Sequence, residues 1–114
     1  MDSIGLTVDG DELTVWASVH HVHIGIGEIT DKDISDAFEL LDEIIADKTL
    51  VVSVWKGDRL RLSSFEDACK PSQWHGEPPG DHRLMVHSWS GQSDVERSIS
   101  WPGWIRSIRR AFTG

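Results

Sequence analysis

The chain of 114 residues contains 19 acidic and 11 basic side chains, so its formal net charge is −8 with histidine neutral. Hydrophobic residues make up 39% of it, which is enough to build one hydrophobic core at this length, and we expect a single domain over residues 1–114. This acidity argues against direct binding to nucleic acid, because nonspecific affinity depends on Lys and Arg side chains that displace counterions from phosphate.

The single cysteine, Cys69, cannot form an internal disulfide. The chain therefore does not belong to the disulfide-rich class of small secreted domains. No apolar run approaches the roughly 20 residues that a membrane-spanning helix requires, and the residues after Met1 lack the basic and apolar regions of a signal peptide. We expect a soluble, cytoplasmic protein with no membrane contact.

Alternating apolar residues predict a β-hairpin near the start of the chain. A two-residue turn at Asp9-Gly10 would place Leu6 opposite Leu13, with the apolar residues of both strands on one face. The alternation changes phase at His20-His21, which indicates either a β-bulge or a second tight turn. We favour the bulge, because two adjacent histidines are poor occupants of a hairpin turn.

Residues 31 to about 47 predict an α-helix. Thr30 is its expected N-cap, with acidic residues in the first turn, where carboxylates complement the helix dipole. Apolar residues recur at spacings of three and four, which predicts one stripe facing a sheet. The members of this stripe are Ile34, Ala37, Phe38, Leu41, Ile44 and Ile45. We expect Phe38, Leu41 and Ile45 to be buried.

The second half of the chain predicts four further strands and a second helix. The strand candidates are residues 50–55 and 60–62 around a Gly57-Asp58 turn, and residues 82–89 and 94–101, with Val86 opposite Arg97. A short helical turn from Ser64, a loop over 71–81 and a helix over 102–112 complete the set. The predicted fold class is α+β, a mainly antiparallel sheet of about five to six short strands with one long acidic helix and one short C-terminal helix packed against it.

Charge is distributed unevenly along the chain. Residues 1–47 hold twelve acids and one base, whereas the remainder holds ten bases and seven acids. Four of the acids lie within about 80° of one another on a helical wheel and repel each other by a few tenths of a kcal/mol per adjacent pair. They are Asp36, Glu39, Glu43 and Asp47. Stability does not require this arrangement, and we interpret the four carboxylates as partner-binding residues.

The loop over 71–81 holds a second candidate binding element. Trp74 and His75 lie side by side in this segment, which is rich in proline and glycine. Exposed tryptophan is enriched at interface hot spots, and we expect both side chains to contact a partner. Trp16 is a further candidate, because it lies on the polar face of its predicted strand.

Three neighbouring histidines, His20, His21 and His23, have spacing that resembles a metal site. His21 and His23 point to one side of a strand, but zinc sites need at least three protein ligands and no short-spaced pair accompanies them. We therefore expect no metal and no cofactor. The sequence also lacks a nucleophile elbow and a glycine-rich phosphate loop, so we expect the protein not to be an enzyme.

An acidic single-domain chain with a carboxylate-rich helix and loop aromatics is similar in kind to bacterial immunity proteins and phage-encoded inhibitors. The resemblance implies docking on a basic partner protein, such as a nuclease toxin or effector complex, by electrostatic steering and aromatic anchoring. Two alternatives stay open: a small metal- or ligand-dependent enzyme that uses the His20–His23 segment, and a homo-oligomeric structural subunit. Metal analysis tests the first of these, and mass measurement in solution tests the second.

Overall fold

The computed structural model describes residues 1, 3–70 and 77–100. Within these ranges the chain forms two antiparallel sheets, with strand orders β1-β2-β3 and β5-β4-β6-β7, and one helix. The elements are β1 (Ile4–Asp9), β2 (Glu12–Ala17), β3 (His20–Ile26), α1 (Asp31–Ile45), β4 (Thr49–Lys56), β5 (Arg59–Asp67), β6 (His82–His87) and β7 (Val95–Ile99). The α+β class is confirmed, but seven strands in two sheets replace the predicted single sheet of five to six strands. The helix predicted over 102–112 lies outside the described residues.

The β1–β2 hairpin forms with a register two residues away from the predicted one. Asp9 pairs with Glu12 and Leu6 pairs with Val15, so the turn residues are Gly10 and Asp11. Gly10 adopts a φ of 61°, a conformation that glycine takes without steric penalty at the first central position of a hairpin turn. A shift of two residues preserves the faces of both strands, so the apolar residues still meet on one side.

The chain reverses between β2 and β3 through a tight turn at Ser18–Val19, and the predicted bulge at His20-His21 is wrong. Ser18 takes the positive φ, at 54°. The turn lies immediately before the two histidines, so neither of them occupies it. The register irregularity between these strands lies instead between Leu13 and Thr14.

Helix α1 begins as the sequence predicts. The Thr30 hydroxyl accepts a hydrogen bond from the Asp33 backbone N–H at 3.2 Å, and the Asp33 carboxylate accepts one from the Thr30 N–H at 3.0 Å. This reciprocal capping box satisfies two backbone donors at the helix end. Gly25 of β3 lies directly beneath the Asp33 side chain, since a methyl group added to Gly25 would come within 2.9 Å of the Asp33 carboxylate. None of the described residues forms a helix long and apolar enough to cross a membrane.

The buried side of α1 differs from the predicted one. Ala37 and Ile44 are completely buried, and Leu41 is half-buried, whereas Phe38 is 54% exposed and Ile45 is 53% exposed. The expected burial of Phe38 and Ile45 is therefore wrong. A helix lying on a sheet buries only the sector that faces the sheet, and the predicted apolar stripe is wider than that sector.

Strand β4 separates two hydrophobic cores, because its successive residues point to opposite faces of the second sheet. The first core joins α1 to the first sheet and to β4 through Leu13, Val15, Ala17, Ala37, Ile44 and Val51. The second lies on the other face of the second sheet and contains Val52, Val54, Leu84 and Ile99. This double burial explains the nearly continuous apolar sequence of β4.

The partners of β4 differ in two details from the sequence-based expectations. Ser64 lies within β5 and pairs with Val52 of β4, so the helical turn predicted from Ser64 is wrong. Strand β6 pairs with β7 so that Val86 faces Val95 and not Arg97. The connection between these two strands is seven residues long, and it is closed by the hydrogen bond from the Ser88 N–H to the Asp94 carboxylate at 2.8 Å.

Candidate partner-binding surface

Helix α1 carries six acids and one base, Lys32. Asp36, one of the predicted binding residues, accepts a hydrogen bond from the Lys32 ammonium at 2.8 Å, in an ion pair between neighbouring turns. The Glu39 side chain is exposed and forms neither a hydrogen bond nor an ion pair with any described residue, and the same is true of the Asp42 side chain. The exposed carboxylates of this helix that have no hydrogen-bond or ion-pair partner among the described residues are thus Asp31, Glu39 and Asp42.

The other two predicted carboxylates take part in internal contacts. Glu43 is half-buried and accepts a hydrogen bond from the Thr49 hydroxyl at 3.3 Å. Asp47 lies beyond the end of α1 with a φ of 59°. Its carboxylate accepts hydrogen bonds from the Ser90 hydroxyl and from the Ser90 backbone N–H, the latter at 3.0 Å. The four carboxylates therefore do not share one solvent-exposed helix face.

The contact between Asp47 and Ser90 holds the β6–β7 connection against the end of α1. The hydrogen bonds from Ser90 lower the pKa of Asp47 below its usual value, because they favour the ionised carboxylate. Trp89, which directly precedes Ser90, is 37% exposed. The predicted aromatic anchor, Trp74 with its neighbour His75, lies outside the described residues.

Helix α1 carries an exposed apolar stripe that was not predicted from the sequence. It consists of Ile34, Phe38 and Ile45, and we call it the outer stripe. Asp42 borders it, four residues after Phe38 and three before Ile45, and is therefore on the adjacent surface of the helix. An open cleft of about 700 Å³ lies there, and Phe38, Glu39, Asp42 and Lys48 are among its lining residues. The unusual width of the apolar sector was the only sequence signal for this stripe.

Trp16 has a structural explanation. It pairs with Gly5 across the β1–β2 ladder, and the indole ring covers the glycine so closely that an added methyl group would come within 2.8 Å of Nε1. The ring thus fills the space that a side chain at Gly5 would occupy. Trp16 is half-buried in this position.

The histidine segment is divided between the two faces of β3. His20 points inward, where its Nδ1 lies 2.7 Å from the Ser63 hydroxyl and its ring packs edge-on against Phe65 at 4.5 Å. Burial lowers the pKa of His20, and the neighbouring His21 lowers it further. His23 is exposed, and its Nδ1 lies 3.0 Å from the Thr14 hydroxyl.

The hydrogen bond between His20 and Ser63 links β3 of the first sheet to β5 of the second sheet. A serine–histidine pair acts as a nucleophile and base when a third group orients the imidazole and donors surround the developing oxyanion. In the part of the chain that the structure describes, no carboxylate hydrogen-bonds to His20. Within the same residues no group of three or more His, Cys, Asp or Glu side chains is placed to hold a metal ion.

Comparison of the chain with protein-family models, curated proteins and solved structures found no match. Its function is therefore inferred from the charges and exposed side chains of α1 and its neighbours.

Proposed function

We propose that this chain is a small protein-binding module of the inhibitor or immunity type, which docks through α1 on a basic cleft of a partner such as a nuclease toxin or effector complex. One observation carries the proposal: the carboxylates of Glu39 and Asp42 are exposed on the same helix without a hydrogen-bond or ion-pair partner among the described residues. Positive side chains of a partner would supply the missing counter-charges.

The physical basis of this docking is electrostatic steering. Clustered charges of one sign attract an oppositely charged partner before contact, and the association rate then falls steeply as salt is added. Asp36 and Glu43 add to the field of α1, although each is already engaged in an internal contact. Asp47 fixes the position of the β6–β7 connection, and Trp74 with His75 is proposed as the aromatic anchor of the complex.

The test begins by isolating the partner from the native host with the wild-type chain at low salt. Association of that partner is then measured by stopped-flow for the wild type and for Glu39→Lys/Asp42→Lys. Both positions are exposed, so the fold should survive the reversal. We expect association to slow by about tenfold or more at low salt, with a shallower salt dependence.

The matched control is Asp9→Lys/Asp11→Lys, which makes the same change in net charge at the exposed β1–β2 turn. It should slow association less than the α1 variant does. Equal rates for both variants would mean that only net charge matters. Rates unchanged from the wild type in the α1 variant would place the binding site elsewhere, with Trp74 and His75 as the next positions to substitute.

A further inference from the structure

We infer that the segment received by α1 is a basic amphipathic helix, whose apolar side chains cover the outer stripe while its Lys or Arg side chains meet the carboxylates beside it. This inference rests on the proposed function and specifies the chemistry of the partner. It differs from charge steering alone because it requires Phe38 and Ile45 to be contact residues.

The outer stripe has the geometry of a helix-binding surface. Its members Ile34, Phe38 and Ile45 are 42%, 54% and 53% exposed, and at 100° per residue they lie within about 40° of one another around the helix. They extend over about 16 Å of helix length. An apolar stripe spaced by four and seven residues is the pattern by which helices dock on one another.

The charges around the stripe determine the type of helix that fits. Asp31 and Asp42 lie about 40–60° from the centre of the stripe on its solvent side, and Glu39 lies beyond them. On the opposite side the surface continues into half-buried Leu41 and then into the core. The stripe therefore has a carboxylate border on one side only, which suits an amphipathic helix with Lys or Arg flanking its apolar face.

A second copy of this chain is a poorer occupant of the stripe. Symmetric pairing of two α1 helices would bring together two surfaces that each carry six acids and one base. Like charges placed across an interface disfavour association. A basic partner helix removes that repulsion and covers the same apolar side chains.

The probe is a fluorescein-labelled Leu/Lys peptide of about 18 residues, designed so that leucine occupies one helical face. A peptide of the same composition with leucine and lysine scrambled tests shape, and a Leu/Glu peptide with the same leucine positions tests charge. Binding to the full chain is measured by fluorescence anisotropy at two salt concentrations. We expect the amphipathic Leu/Lys peptide to bind at least about tenfold more tightly than either control peptide.

Variants of the protein then locate the contact. Phe38→Ala and Ile45→Ala should each weaken binding by about fivefold or more, as expected for central apolar contacts. Leu60→Ala is the matched control: Leu60 is 41% exposed and pairs with Trp55 at the far end of β4 from α1. It should leave binding unchanged, and a circular dichroism spectrum of each variant verifies that the fold is retained.

The outcomes separate this inference from the proposed function. Equal binding of the amphipathic and scrambled Leu/Lys peptides would overturn the inference, as would Phe38→Ala and Ile45→Ala proteins that bind like the wild type. In either case slower association of Glu39→Lys/Asp42→Lys with the native partner would leave the proposed function standing. Sedimentation of the free protein as a dimer that Phe38→Ala dissociates would identify a second copy as the occupant and would also overturn the inference.

Discussion

The two adjacent isoleucines at the end of α1 provide the sharpest test of how this helix packs. Ile44 is completely buried in the first core, whereas Ile45 is 53% exposed. We expect Ile44→Ala to lower the free energy of unfolding by about 2–4 kcal/mol, from the lost burial of three carbon atoms and the cavity left behind.

The same substitution at Ile45 removes the same atoms from a different environment. Full burial of an isoleucine side chain stabilises a protein by about 1.5–3 kcal/mol. About half of the Ile45 surface is already in contact with water, and truncation of this side chain leaves no closed cavity. The higher helix propensity of alanine offsets a few tenths of a kcal/mol of the free energy lost by the Ile45→Ala substitution. We therefore expect Ile45→Ala to lower the free energy of unfolding by less than about 1 kcal/mol.

Urea unfolding followed by circular dichroism at the helix band measures both values. The dependence of the free energy on urea should be the same for the two variants and the wild type, so that midpoints can be compared directly. Similar losses for the two variants, or a larger loss for Ile45→Ala, would show that α1 does not bury Ile44 in preference to Ile45. That result would also remove the outer stripe as an exposed surface.

Three further predictions concern individual contacts. Gly5→Ala should lower the free energy of unfolding by about 1–3 kcal/mol, because its methyl group overlaps the Trp16 ring, and the loss measured by urea unfolding should shrink in a Trp16→Val background. The pKa of His20 is lowered in the folded protein, so the contribution of this residue to the free energy of unfolding should be fully present above the ordinary histidine pKa of 6.5 and should be lost as pH falls through the folded value. His20→Gln should weaken this pH dependence in thermal scans between pH 5 and pH 8. Since hydrogen bonds from Ser90 lower the pKa of Asp47 below 3.8, their stabilisation is present above that pH and lost as pH falls through the folded value. Asp47→Asn should therefore reduce the unfolding midpoint at pH 7, and this reduction should shrink as pH falls below 3.8.

Interactions between residues close in the chain were predictable from the sequence. The capping box joins Thr30 to Asp33, and both the start of α1 and its approximate length followed from such local signals. The apolar faces of β1 and β2 were also predicted, although their register was not. A face depends only on whether residues are odd or even along the strand, so a displacement of two residues leaves it unchanged.

The candidate surface was predictable only in part, for the same reason. The abundance of carboxylates on α1 is a property of the sequence, but their availability depends on distant partners, as when Asp47 binds Ser90 43 residues later in the chain. Ser64 likewise had a local helical signal that was overridden by pairing with Val52 on the neighbouring strand.

The orientation of α1 was decided by tertiary packing alone. Ile44 and Ile45 are the same residue type in neighbouring positions of one apolar stripe, and nothing in their local sequence selects which of them is buried. The first sheet makes that choice, because a sheet contacts only one sector of a helix and Ala37 and Ile44 occupy that sector here. The sequence determined that a carboxylate-rich amphipathic helix forms, and the sheet beneath it determined which apolar side chains remain exposed beside those carboxylates.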